Sequence, residues 1–257
     1  RKMVQIARLR AKALLQFIIE DLQHFSHAFG FMEKTAIGGF PPDWTIECHL
    51  SVRCADLGLN SGARPGDIDV LLIPVFDGDR FVERSMAIEV KRFHVPKRNR
   101  GRSPSEYGST QARCLVDHGF AFVGLLHIPI VERSDPQDWV EIPVQKMRYR
   151  EGESRFEGTV SIDPAAHALT NRHVGRFETF ELPDCVGYNV HTLQLDPDGQ
   201  QIVGWSVWGW RAPEKNPSRD ADLLCRRRMF DRTPDYKVHR SHNDGRVIWT
   251  GEHAIEY

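Results

Sequence analysis

Between Phe120 and Val131 the chain reads FAFVGLLHIPIV, a run without a single charge. A bilayer-spanning helix needs about 20 apolar residues, so the run is too short to cross a membrane. It also lacks the apolar-polar alternation of a half-exposed strand. Read as a strand it is buried on both faces, the pattern of a sheet with helices packed on either side. That points to an α/β architecture. The remaining composition agrees. The chain has 257 residues, 40% hydrophobic and 27% charged, enough to bury a core and too apolar for a disordered polymer.

Upstream, Val4, Ala7, Ala11, Leu14, Ile18, Leu22, Phe25 and Phe29 fall at three-and-four spacing. This predicts one amphipathic helix over 3–29, stopped at Gly30. The same spread, with no single apolar block, does not fit a signal peptide. WTIECHLSV (44–52) alternates as a strand does. IDVLLIPVF (68–76) is a second strand, DGD (77–79) a hairpin turn, and Met86–Phe93 a third strand. A helix is expected over 105–118, capped by Ser103 or Ser105, with Glu106 in its first turn and Gly119 at its end. The order up to residue 131 is therefore αβββαβ. Beyond it, EGTVSID, FETFELP, YNVHTLQLD, QIVGWSVWGW and RVIWTGEHAI read as strands, and 218–230 reads as a helix. This divides the chain into a core over 1–135 and a β-rich extension or second domain over 136–257. No clean linker separates them.

The chemistry-bearing residues lie on the second and third strands. Residues two apart on a strand share a face, so Glu89 and Lys91 project together while Ile88 and Val90 face the other way. Asp69 lies at the start of the preceding strand, and the hairpin brings it back toward Glu89. Asp67, after Pro65-Gly66, reads as a loop residue. Two neighbouring carboxylates repel unless a cation sits between them. Oxygen donors select a hard ion, Mg²⁺ or Mn²⁺, and the Val90 carbonyl would supply a further ligand. Lys91, beside such an ion, can orient water or neutralise a phosphate.

Asp69 followed by Glu89-Val90-Lys91, on consecutive strands of an αβββαβ unit, resembles the PD-(D/E)xK nuclease superfamily with its restriction-endonuclease-like fold. The resemblance covers about half the chain and does not reach 132–257. It implies metal-dependent phosphodiester hydrolysis, with Asp69 and Glu89 as metal ligands and Lys91 near the attacking water. DNA is implied as substrate ahead of RNA. It also implies a polar residue on the next helix, a place that Gln111 fits. The tyrosine of the RecB-type extension is absent, since Leu115 stands four residues after Gln111. Many members carry a further acid on the first helix. Glu20, Asp21 and, on the first strand, Glu47 are the candidates, and the sequence does not choose among them.

Other groups are open to two readings. Arg92, Lys97, Arg98, Arg100 and Arg102 emerge after the third strand and could grip phosphates or be a solvated loop. Arg226, Arg227 and Arg228 read as a surface helix. Trp208 and Trp210 share a strand face and read as sheet core. Twelve histidines, His167 with His173 and His239 with His242 among them, form no zinc pattern. Five cysteines at irregular spacing argue against a disulfide framework and for a reducing cytoplasmic setting. The net charge of −1 leaves nucleic-acid contact to local patches. The expected partner is nucleic acid, with no membrane, and assembly with a second copy or a partner subunit is compatible with the chain. The rival reading is a catalytically silent domain of the same fold that binds nucleic acid or a protein. A third, compatible with either, makes 150–257 a ligand-binding or interaction module.

Overall fold

The computed structural model describes residues 11–30, 44–59, 67–99, 107–148, 153–196, 202–207, 210–217, 233–240 and 247–249. From residue 11 on, the N-terminal apolar stripe is carried by two helices where one was expected, α1, Ala11–Glu20, and α2, Leu22–Phe29; Val4 and Ala7 lie outside the described residues. Asp21 divides the two helices. Its backbone is extended, at φ −99° and ψ 114°, and its carboxylate accepts the His24 amide at 2.9 Å. Aspartate caps a helix better than it continues one, because its short side chain competes for nearby backbone N–H groups. The break re-aims the stripe. Leu14, Leu15, Ile18 and Ile19 of α1 and Phe25, Ala28 and Phe29 of α2 are buried in one cluster. Gly30 caps α2 as expected, in a right-handed conformation.

The strands are β1 (Thr45–Arg53), β2 (Asp67–Phe76), β3 (Asp79–Arg80), β4 (Met86–Val95) and β5 (Phe122–Glu132). There follow β6 (Val140–Arg148), β7 (Glu153–Ile162), β8 (Val186–Leu195), β9 (Ile202–Val207), β10 (Tyr236–Arg240) and β11 (Val247–Trp249). Helix α3 (Ser109–Asp117) precedes β5, and α4 (Ala165–Thr179) precedes β8. The main sheet runs β11-β10-β1-β2-β4-β5-β8-β9, with β3 added to β2. Its β4, β5 and β8 are parallel and its other pairings antiparallel. The protein is thus α/β with a mixed sheet. Strands from the second half add to both ends of the sheet that the first half begins. β6 and β7 form a separate two-stranded ribbon.

Helices cover both faces. α1 and α2 pack on Ile46, Cys48, Leu50, Val70, Leu72, Ile88, Val90, Leu126 and Ile128. On the opposite face Ala112 and Leu115 of α3, with Phe177 of α4 and Phe180 just after it, cover Leu71, Ile73, Ala87, Val123, Leu125 and Val190. Both β5, all but its last residue, and β8 are buried along their length, as the uncharged run required. Among the described residues no helix is long and apolar enough to cross a membrane.

Several elements differ from expectation. Asp77 and Gly78 turn with positive φ, 50° and 83°, as a tight hairpin demands. The strand they lead into, β3, nevertheless has only two residues, and the partner that matters, β4, begins after a further 3-10 turn at Val82–Arg84. Asp67 is the first residue of β2 and not a loop residue, though it is exposed. FETFELP is no strand, because FET ends α4. That helix escapes a hydrophobicity reading because its buried stripe, Ala166, Leu169, Thr170, His173 and Phe177, is partly polar. β9 stops at Val207, and Trp210 is 38% exposed and outside the core. Trp208 and the 218–230 segment with Arg226, Arg227 and Arg228 lie outside the described residues. Cys48, Cys54, Cys114 and Cys185 are free thiols.

The 210–217 segment lies against β8, with Tyr188 and Arg211 exchanging backbone hydrogen bonds at 2.9 and 3.0 Å. Gly187 permits this approach. A Cβ there would stand 2.5 Å from Pro213 Cδ and 2.8 Å from the Arg211 carbonyl oxygen. Gly187→Ala is expected to cost about 1–3 kcal/mol of stability. Urea unfolding checks this, and an unchanged midpoint would contradict the packing described.

Candidate active site

The β2–β4 ladder pairs Leu72 with Met86, Leu71 with Ala87 and Val70 with Ile88, and there it ends. One further step in the same register sets Asp69 opposite Glu89. The Asp69 side chain takes over where the backbone pairing stops. Its Oδ2 accepts the Val90 amide at 2.7 Å. A strand residue's N–H and C=O leave on the same side, so the Val90 carbonyl also points toward β2. β1 is irregular at the same level. Ser51, across from Asp69 in the β1–β2 register, has φ of 50° and takes no place in that ladder.

Glu89 and Lys91 share the α3/α4 face of β4, as the alternation predicts, and the Lys91 ammonium is paired directly with Glu89 Oε1. The glutamate side chain is 6% exposed and the lysine 20%. Burial is the main reason the Glu89 carboxyl is pushed up to about 7, with the Asp69 charge adding to it and Lys91 opposing. Asp69 is raised as well, first by burial and further by Asp67, against the Val90 hydrogen bond and Lys91. Cys54, just after β1, has its thiol raised by burial and then by Asp67 and Glu89. With both carboxyls ionised, the group holds two negative charges against the single positive charge of Lys91.

That excess suits a hard divalent cation. Asp69, Glu89 and the Val90 carbonyl offer oxygen donors of the kind Mg²⁺ or Mn²⁺ takes, with water or phosphate oxygens completing the shell. Among the described residues no three His, Cys, Asp or Glu side chains gather into a metal-holding group. The site therefore rests on two carboxylates. None of the three candidate acids joins them. Glu20 ends α1, on the other layer, and accepts from Tyr236 at 3.2 Å. Asp21 caps α2. Glu47 is buried with Arg80 at 2.7 Å and Lys237 at 3.4 Å. Although burial opposes ionisation, the neighbouring His49 at 3.9 Å, the Arg80 hydrogen bond and the charges of Arg80 and Lys237 hold it down at about 2. It sits four residues along from Ser51 on β1, roughly 13 Å from the Asp69 level.

Gln111 is half-buried on α3, and among the described residues no hydrogen bond ties it to Asp69, Glu89 or Lys91. The helix has Gly108 as its N-cap, and Ser103, Ser105 and Glu106 lie outside the described residues. Gly108 has φ of 88°, and a Cβ on it would lie 3.1 Å from Lys91 Cγ and 2.7 Å from Leu125 Cδ1. The start of α3 thus rests on the Lys91 stem. Of the basic loop, Arg92 points to the opposite face from Lys91. Lys97 is paired with Asp135, and Arg98 is exposed. Arg100 and Arg102 lie outside the described residues.

Two histidine pairs went unnoticed in the sequence. His127 of β5 is the parallel-register partner of Lys91. Its Nε2 lies 2.9 Å from the Tyr107 carbonyl oxygen and its Nδ1 3.1 Å from Nδ1 of His173. Donation from Nε2 to that carbonyl leaves Nδ1 of His127 as acceptor for His173. Burial keeps both neutral, lowering His127 to about 3 and His173 to about 4. His24 and His191 meet likewise at 3.0 Å between α2 and β8. A histidine inside the run FVGLLHIPI was the one available signal. The partners in these two pairs stand 46 and 167 residues apart, which no local pattern reveals. His167 is exposed and contacts Asn171. The side chains of His239 and His242 lie outside the described residues.

Set against known proteins, the chain matches no family model, no curated protein and no solved structure.

Because the Glu89 carboxyl holds its proton more tightly folded than unfolded, the fold loses stability through this group as pH rises from about 4.5 to about 7. In chelator, Asp69→Asn keeps an acceptor for the Val90 amide and removes one of the two like charges. It is expected to raise the Tm at pH 8 by roughly 2–4 °C, the shift that about 1 kcal/mol gives in a chain of this size. A lower Tm would show that Asp69 stabilises the fold as an anion.

Proposed function

We propose that this chain is a restriction-endonuclease-like nuclease of the PD-(D/E)xK type, hydrolysing phosphodiester bonds of DNA with Mg²⁺ or Mn²⁺. One observation carries the reading. Glu89 is buried and Asp69 half-buried across from it, both with raised pKa, where the β2–β4 ladder ends and Lys91 shares their face. A merely structural ion pair would need Lys91 and one acid, and the second acid adds repulsion. Asp69, Glu89 and the Val90 carbonyl would hold the cation, which when bound neutralises charge on the phosphate. Lys91 donates hydrogen bonds from a half-buried ammonium and can orient water or steady a phosphoryl oxygen. The resemblance alone gives Gln111 a positioning role. Arg98 is the described loop cation best exposed to meet the phosphate backbone.

Purified protein incubated with DNA is expected to cleave in Mg²⁺ or Mn²⁺ and to stop in chelator. Asp69→Ala, Glu89→Gln and Lys91→Ala should each lower the rate roughly 100-fold or more. Cleavage that survives these substitutions would sink the assigned site. Metal binding should also strengthen roughly tenfold between pH 6 and pH 8, as a carboxyl near 7 gives up its proton to the ion. Calorimetry with Mn²⁺ measures this, and pH-independent affinity would remove Glu89 from the ligand set.

The direct Glu89–Lys91 pair and the absence of a third acid among the described residues favour, as a second reading, a silent domain that binds nucleic acid without turnover. Binding in chelator with no cleavage in either metal would support it.

A further inference from the structure

Tyr107 is the most exposed large apolar side chain among the described residues, at 50%. Its surroundings are nonetheless packed. The carbonyl accepts from His127, the ring lies 5.1 Å from that of Phe93, and the next residue, Gly108, rests on the Lys91 stem. Phe93 follows Lys91 by two on the same strand face, roughly 6–7 Å away, and its own ring is held by His127 and His173 at 4.8 and 5.1 Å. A half-exposed aromatic ring thus rests on Phe93, itself backed by the buried His127 and His173, beside the lysine assigned to the phosphate.

We infer that Tyr107 is a stacking platform for an unpaired base, so that the site takes single-stranded or frayed nucleic acid in preference to intact duplex. Bases inside a duplex have both faces covered by their neighbours, whereas a splayed base offers a free face to an aromatic ring. Stacking of this kind tolerates any base and so adds affinity without sequence preference. Because the ring is already held, little ordering is needed when the base arrives. The inference rests on the nuclease reading for where the phosphate lies, and the binding test below is independent of cleavage.

The test is fluorescence anisotropy of a labelled single-stranded DNA oligonucleotide and of its blunt duplex, in chelator, with the whole chain. The single strand is expected to bind at least tenfold tighter than the duplex. Tyr107→Ala should weaken single-strand binding roughly tenfold or more and leave duplex binding within about twofold. Tyr107→Phe, which keeps the ring, should bind as the parent does. An unchanged Tm for both variants shows that the fold persists, as expected for a half-exposed side chain. Equal affinity for both forms, no binding to either, or an alanine variant that binds as well as the parent overturns the inference. Ring-dependent binding without metal-dependent cleavage sustains it and sinks the nuclease reading. Cleavage indifferent to Tyr107 and to strandedness does the reverse.

Discussion

Every residue of β4 from Met86 to Val95 has a parallel partner in β5, and β5 is paired in the same sense with β8. Parallel neighbours cannot be joined by tight turns, so each link must cross over the sheet and bring covering structure with it. α3 makes the first crossover, and the β6–β7 ribbon with α4 makes the second. The α1–α2 pair closes the other face. Much of the architecture follows from keeping these strands dry on both sides, since their apolar side chains leave no face that water could cover.

That register also sets the polar groups. It places Lys91 beside His127, and His127 beside His173 of the second crossover helix, so that a hydrogen-bonded line runs from α4 to the Tyr107 carbonyl ahead of α3. On the other edge of β4 the antiparallel ladder to β2 is short. Where it ends, the Asp69 carboxylate stands in for a backbone carbonyl and takes the Val90 amide. The same substitution brings two carboxylates together, and desolvation raises both above their ordinary range. The site is the consequence of a sheet that stops pairing before its strands stop running.

Much of this could be read from the chain. Alternation alone separates Glu89 and Lys91 from Ile88 and Val90, and the apolar runs gave β1, β2, β4 and β5 within a few residues. Less legible were elements whose buried stripes carry polar groups. α4 hides Thr170 and His173 among its contacts, and these bond Thr192 and His127 across the core. The break at Asp21 is hidden in the sequence because an apolar period continues through it, whereas the extended backbone of Asp21 and its capping bond to His24 interrupt the helix. Glu47 looked like a site acid until Arg80 and Lys237 closed around it.

The sequence by itself determined a sheet buried on both faces and which side chains of each strand share a face, because both follow from local spacing and from the cost of wetting apolar surface. Only the tertiary structure decided which charges meet. Asp69 faces Glu89 through the strand register, Lys91 lies under Gly108 through the docking of α3, and Glu47 is drawn into a different ion group by β10, which lies near the opposite end of the chain. Such meetings depend on register and on contacts between segments far apart in sequence, and no local pattern encodes either.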